Sequence, residues 1–293
     1  MAMEFAVIGG DLRNIKLIKV LAETGNKVYV YGNKPEKDSD CIICDSIDVA
    51  IAEAKWIIGP IPFNAGTIPG EQILKNILPG KVFISGNIPE SVIHDAQKRG
   101  IYVVDILQRD DMAILNAVPT AEGAIQIAME KLPVTIDGSH ILITGFGRVA
   151  KTLAAKLKAI GGIVTICARK TRDLAWAEIY GYNKMTFSEL AKNTGRFTLI
   201  YNTVPKIIFD KKQLDVIKNC KTGGRPPSVL LLIDLASKPG GVDFEYAKKI
   251  GIDTVQALAL PGKVAPETAA RNIGKVVFNI IEDLAKEADK DVN

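Results

Sequence analysis

The chain is poor in the residues that build metal and redox centres. Among 293 residues there are four cysteines and two histidines. Cys41-Ile42-Ile43-Cys44 has the C-x-x-C form, but a strand is expected there, and positions three apart in a strand face opposite ways. Neither histidine completes metal-ligand spacing with it, so neither a metal site nor a disulfide framework is expected. Apolar runs of membrane-spanning length are lacking as well, which excludes a transmembrane helix. Met1-Ala2-Met3-Glu4-Phe5 passes straight into a strand, so the expectation is a cytoplasmic protein without a secretory leader. A net charge of +4 is too mild and too scattered to point to nucleic acid. What remains is an ordinary globular composition, 47% hydrophobic and 24% charged, long enough for two domains.

The most informative stretch is Ile141-Leu142-Ile143-Thr144-Gly145-Phe146-Gly147-Arg148-Val149-Ala150. Strand, Gly-x-Gly-x-x-Ala and helix follow one another, the order that a dinucleotide-binding βαβ unit requires. Gly145 lets the chain turn off the strand. Gly147 lacks a Cβ, so backbone amides can approach a pyrophosphate whose charge the helix N-terminus favours. Ala150 is small enough for helix to pack on strand. Gly145, Phe146, Gly147, Arg148 and Val149 are therefore candidate cofactor residues.

The same pattern occurs earlier. Phe5-Ala6-Val7-Ile8-Gly9 with a helix to Gly25 matches Ile141-Leu142-Ile143-Thr144-Gly145 with a helix to Gly161, over an equal interval. The expected fold is α/β: two Rossmann-like domains with parallel doubly wound sheets and an interdomain cleft. Asp11 stands where the second copy has Gly147, and a carboxylate there would repel a pyrophosphate. Only the second domain is expected to hold the dinucleotide.

In the first domain strands are expected at 40–43, 55–58, 81–85 and 101–105, with helices near 46–53, 71–78 and 89–98. Thr120 is expected to cap a connector helix from Ala121 to about Lys131, apolar nearly all round and buried between the domains. Further strands are expected near 141–144, 163–167, 198–201, 229–234 and 253–256. Lys221-Thr222-Gly223-Gly224-Arg225-Pro226-Pro227 reads as a surface loop. The stretch Leu260–Pro266 leads into an amphipathic helix from about Glu267 to Ala288 that packs back on the first domain, with Asp289–Asn293 frayed. The domains are then 1–120, with 267–293 returning to it, and 121–266.

An acidic residue about twenty positions past the glycines holds the ribose of NAD in such domains. Here the second strand ends in Cys167-Ala168-Arg169-Lys170-Thr171-Arg172, with no acid in reach. Arg169, Lys170 and Arg172 suit a 2′-phosphate, so NADP is expected ahead of NAD. Asn202-Thr203-Val204-Pro205 resembles the Asn-Thr-x-Pro turn found near nicotinamide in several two-domain dehydrogenases, and Asp234 ends the next strand.

The blocks Val7-Ile8-Gly9-Gly10-Asp11-x-Arg13, Arg109-Asp110-Asp111-x-Ala113-Ile114-x-Asn116, Pro119-Thr120-x-Glu122-Gly123, Gly145-Phe146-Gly147-Arg148, Asp234-Leu235-Ala236-Ser237-x-Pro239-Gly240-Gly241-x-Asp243-Phe244 and Leu260-Pro261-Gly262-x-Val264-Ala265-Pro266 run through the chain in order. Together they resemble the dipicolinate synthase A-subunit family. Ala150, where glycine is common, and the Gly223–Pro227 loop are modest departures. The resemblance implies an NADP-dependent oxidoreductase of spore-forming bacteria, in the mother-cell cytosol, and a homo-oligomer as well. With the flavoprotein-like B-subunit of dipicolinate synthase it would oxidise dihydrodipicolinate, from a lysine-pathway precursor, to pyridine-2,6-dicarboxylate.

Two substrate carboxylates call for converging cations. Arg13, Arg109 and Lys263 are the candidates, with neutral help from Ser85, Asn87 and Asn116. Asp11, Asp111 and Glu122 are candidates for accepting a proton or orienting those cations. Two alternatives stand beside this reading. One is another two-domain dehydrogenase of small carboxylates, although no Lys-Asp or His-carboxylate pair of those enzymes is evident. The other is a nucleotide-binding accessory subunit with catalysis in the partner.

Overall fold

A parallel strand covered on both faces has no side that can stay polar, so its sequence becomes an apolar run. Phe5-Ala6-Val7-Ile8 and Ile141-Leu142-Ile143 meet that requirement, and both runs are wholly buried in the computed structural model. The structure describes residues 2–219 and 230–291. It divides into two compact units, Met1–Asn116 with Pro261–Asn293, and Ala117–Leu260.

The first unit runs β1 (Glu4–Ile8), α1 (Leu12–Glu23), β2 (Lys27–Tyr31), β3 (Ile42–Ile43), α2 (Ile47–Ala52), β4 (Trp56–Ile58), α3 (Gly70–Lys75), β5 (Val82–Ser85), α4 (Glu90–Lys98) and β6 (Tyr102–Asp105). The chain passes into the second unit within α5 (Asp110–Lys131). There follow β7 (His140–Thr144), α6 (Arg148–Ala159), β8 (Ile163–Cys167), α7 (Thr171–Ile179), β9 (Asn183–Met185), α8 (Phe187–Asn193), β10 (Leu199–Asn202), α9 (Lys211–Asn219), β11 (Leu231–Asp234), α10 (Phe244–Lys249) and β12 (Thr254–Gln256). α11 (Leu260–Val264) leads to α12 (Pro266–Asp291), which belongs to the first unit.

Each sheet has six parallel strands, in the orders β3-β2-β1-β4-β5-β6 and β12-β11-β10-β7-β8-β9. Counted from each unit's own first strand these are the same order, 3-2-1-4-5-6, that of dinucleotide-binding folds. In register, Val7 lies opposite Val30 and Ile58, and Ile143 opposite Ile166 and Tyr201. This is the Rossmann-like α/β fold expected from the sequence. The order switches direction beside β1 and β7, so the loops after those strands sit where such sheets take ligands.

One core of the first unit joins Phe5, Val7, Leu17 and Leu21 to Ile273, Val276, Val277 and Ile280 of α12. Burying such side chains contributes about 2 kcal/mol apiece. The opposite face of the sheet packs Ile8, Ile57, Phe83 and Ile73 with Ile51 of α2. In the second unit Leu142, Ile200 and Leu232 pack against Phe197, Phe209 and Leu214.

Several expectations need correction. The connector helix begins at Asp110, not at Ala121, so Thr120 lies inside it and caps nothing. Pro119 does not break it: a proline removes the donor that would serve the carbonyl four residues back. That carbonyl, of Leu115, accepts instead from Asn272 Nδ2 of α12 at 3.3 Å. Nor is the helix buried all round. Ala121, Ala124 and Ala128 are buried, but Glu122, Gln126, Met129 and Glu130 are exposed. The stretch from Leu260 forms a short helix of its own, and α12 continues past the expected fraying point to Asp291. The strand expected at 40–43 shrinks to Ile42–Ile43. The Lys221–Pro227 loop lies outside the described residues.

Candidate functional site

Gly145 ends β7 with φ of +90°, a left-handed conformation that only glycine adopts cheaply. A Cβ there would also strike Thr203 Oγ1, 2.5 Å away. Gly147 has a different reason to be glycine. Its φ is an ordinary −84°, and a Cβ would meet nothing among the described residues within 4 Å. Neither backbone strain nor packing among those residues requires glycine at that point. It caps α6 without any side-chain bond to the first-turn amides. The helix therefore begins exposed, with donors and a positive dipole end facing open space.

Beside this turn lies a cavity of 620 Å³ lined by Gly145, Phe146, Arg169, Lys170 and Val204 at strand ends. Its apolar walls come from Phe187, Leu190, Ile207 and Ile208. Size and lining suit a small organic ligand with an apolar ring. The charged groups around it are Arg169, Lys170 and Lys206, against Asp173 and Asp210. Asp173 corrects the expectation that no acid is in reach. It stands in the first turn of α7, where the sequence signal is an acid near a helix start, and Arg172 pairs with it at 3.5 Å. Arg172 itself is exposed and does not line the cavity. Phe187, Lys206, Ile207, Ile208 and Asp210 were likewise not anticipated from sequence.

Phe146 is buried against Tyr180 and Tyr182, with Lys151 Nζ 5.5 Å from its ring centre. Arg148 is exposed and Val149 half-buried on the first turn of α6. Burial pushes the Cys167 thiol up to about 12, so it stays protonated and unreactive at the end of β8.

Asn202, Asp234 and Thr144 are fully buried and bonded to one another. Thr144 Oγ1 donates to Asn202 Oδ1 at 2.5 Å, and Asn202 Nδ2 donates to Asp234 Oδ1 at 2.7 Å and Val204 O at 3.0 Å. The Asp234 carboxylate also accepts from Ala236 N and Gly241 N. Both candidate side chains thus shape the turns after β10 and β11. Thr203 is tied to Thr144 O, Val204 reaches the cavity by its side, and Pro205 is exposed.

The first unit uses the equivalent turn otherwise. Asp11 caps α1, its Oδ1 accepting from Arg13 N at 3.0 Å. The same carboxylate pairs with the Arg13 guanidinium at 2.7 Å. Arg13 Nη2 also donates to Ile61 O, and Gly262 lies so close that a Cβ would sit 2.9 Å from Arg13 Nε. At 8% exposure, Arg13 ties the loops after β1 and β4 to α11. Lys263, the residue after Gly262, is exposed. Ser85 is fully buried and donates to Pro60 O, so it is not free for a ligand.

The remaining candidates lie elsewhere. Arg109 pairs with Asp111 and with Asp283 of α12, both at 3.0 Å. Hydrogen bonds from Arg109, and then Asn279, lower the Asp111 carboxyl to about 2. Glu122 belongs to the second unit, paired with Lys156 of α6 at 2.8 Å. Within each unit the partners are thus Asp11 with Arg13, Arg109 and Asp111 with α12, and Glu122 with α6. Asn87, with φ of +63°, is exposed after β5, and Asn116 is half-buried in α5.

Residues 4–107 match the family model described as the N-terminal domain of the dipicolinate synthase A-subunit. Over 98% of its length the chain is 29% identical to the dipicolinate synthase A-subunit of Bacillus subtilis (strain 168), covering 99% of that protein. The chain is thus similar along nearly its whole length to dipicolinate synthase A-subunits. The crystal structure of dipicolinate synthase, A chain, from Bacillus subtilis superposes with a TM-score of 0.83, 29% identity and 98% coverage of both chains. The crystal structure of the A-subunit from Bacillus halodurans gives 0.82 at 28% identity, covering 95% of this chain and 97% of that one. Beyond the dipicolinate synthases, the fold extends to a transhydrogenase from Sinorhizobium meliloti, at 0.68 and 16% identity over 95% of both chains.

Proposed function

We propose that this chain is the dinucleotide-binding subunit of a dipicolinate synthase, oxidising dihydrodipicolinate to pyridine-2,6-dicarboxylate with NADP, together with a flavoprotein-like second subunit. Gly147 carries the reading. Its missing side chain serves no purpose inside the protein, and beside the uncapped N-terminus of α6 it leaves room for a pyrophosphate. The first-turn amides, from Arg148 and Val149 on, would hold that group. Arg169 and Lys170 would meet a 2′-phosphate, and Phe187, Leu190, Ile207 and Ile208 would cover an adenine.

The bound dinucleotide supplies a hydride acceptor, and aromatisation of the ring supplies driving force. The chain's own work is then binding and orientation, with no strong base required. The buried Thr144-Asn202-Asp234 network holds Val204 and the turn after β10 in place at the cavity wall. In the first unit Arg13 and Lys263 are the cations offered to a substrate carboxylate. A role during sporulation, in the mother-cell cytosol, goes with this reading.

The test is formation of pyridine-2,6-dicarboxylate from freshly generated precursor and NADP⁺, with and without the second subunit, comparing wild type with Arg13→Ala. Product that requires this chain, and is lost in Arg13→Ala while NADPH still binds, supports the reading. One observation favours a second reading: Arg13 is nearly enclosed by its own partners. NADPH binding without any turnover, even with the partner present, would make the chain an accessory nucleotide-binding subunit.

A further inference from the structure

The second unit has another cavity, of 500 Å³, that shares no lining residue with the one beside Gly145. It lies where His140 starts β7, Asn183 and Lys184 form β9, and Arg196 precedes β10. Its most buried lining residue is Thr165 in the middle of β8, 2% exposed.

Thr165 is the polar exception in Ile163-Val164-Thr165-Ile166-Cys167. A hydroxyl in such a strand calls for a polar partner, since valine would fill the same space without one. Yet Thr165 makes no side-chain hydrogen bond to any described residue. The same holds among the described residues for the side chains of His140, Tyr182 and Asn183 and for the Arg196 guanidinium. Arg196 lies over the Phe197 ring at 5.1 Å and acts on Glu189 only through space. The pairing within the lining is between Lys184 and Glu178. Two cations and one carboxylate, ringed by unspent donors, leave a net demand for negative charge.

We infer that this cavity binds a small anion carrying a carboxylate or phosphate group, with Arg196 as its ion-pairing residue and the Thr165 hydroxyl as its buried hydrogen-bonding group. The site belongs to the second unit alone and is independent of the proposed dinucleotide function.

Titration calorimetry of the full chain tests this, with inorganic phosphate in one arm and malonate in the other. Saturable binding of either that Arg196→Gln weakens supports the site, and the arm that shows it names the group. Arg196→Gln is expected to weaken that binding about tenfold or more, the worth of a charge-assisted bond. Thr165→Val is expected to weaken it about fivefold while the unfolding temperature stays level or rises, because only an unused hydroxyl is lost. Arg169→Gln, at the other cavity, is expected to leave it unchanged. Absence of saturable binding in both arms would overturn the inference. So would binding that survives Arg196→Gln or disappears in Arg169→Gln.

Discussion

The two units put a twelve-residue helix after the same strand of the same sheet order, yet finish the turn between them in opposite ways. In the first, Asp11 closes the helix end with its own carboxylate and pairs with Arg13. In the second, Gly147 leaves the end bare. A helix N-terminus can satisfy its donors internally or offer them to a ligand, but the same amides cannot do both. One side chain at one position thus separates an internally capped turn from an open one on otherwise matching scaffolds.

Copying the first turn into the second should have the largest effect. Gly147→Asp places a carboxylate where the dinucleotide phosphates are proposed, and like charges in contact cost several kcal/mol, so NADPH affinity should fall about a hundredfold or more. The unfolding temperature should hold or rise, since aspartate is a favoured cap. Undiminished NADPH binding in fluorescence titration would end the contrast between the turns.

The converse change acts on stability. Asp11→Ala removes a cap and leaves Arg13, 8% exposed, without its carboxylate. A loss of about 2–4 kcal/mol is expected in urea unfolding. A loss below about 0.5 kcal/mol, the floor for a cap, would mean that the pair does not hold the turn.

Arg169→Gln sharpens the comparison within the second unit. NADPH should weaken about tenfold while NADH changes little, because the lost interaction is with the 2′-phosphate. Equal losses would place Arg169 near a part that both dinucleotides share, and Asp173 would then weigh towards NAD.

The smallest effect concerns pH. Asp111 is held at about 2, against an ordinary 3.8, first by the Arg109 hydrogen bonds. A carboxylate whose native value lies below its unfolded one stabilises the fold above the unfolded value, and that contribution fades as pH falls through the native one. Its contribution is thus complete at neutral pH and is lost between 3.8 and about 2. Urea midpoints of Asp111→Asn across that interval should fall less steeply than those of wild type. Parallel curves would show that the Arg109 pairing is unimportant.

Strand, glycine and helix recur along the chain at a fixed interval, so both sheets and the contrast between Asp11 and Gly147 were legible in the sequence. That information is local, carried by neighbours in the chain. What sequence did not reveal depends on residues distant in the chain. Pro119 reads as a helix boundary because its rescuer, Asn272, lies far away in sequence. Asn202 and Asp234 read as ligand groups because their mutual bond, across thirty-two positions, has no local signature. The bonds of Arg109 and Asp111 to Asp283 and Asn279 of α12 have no local signature either. Polar residues at strand ends are ambiguous in this way: burial decides whether they hold a loop or face a ligand.

The division of the chain also sets an order of assembly. The second unit is one continuous segment, whereas the first is interrupted by it and completed only by α12. On the ribosome, Ala117–Leu260 has emerged in full before Ile273, Val276 and Ile280 can cover Phe5 and Leu17. The apolar face of α1 must therefore wait uncovered through the synthesis of the whole second unit, an interval of about ten to thirty seconds at ordinary elongation rates. A ribosome-bound intermediate with a folded second unit and an open first one is the natural client for a chaperone, and a chain released before α12 is a candidate for aggregation rather than for a smaller working protein.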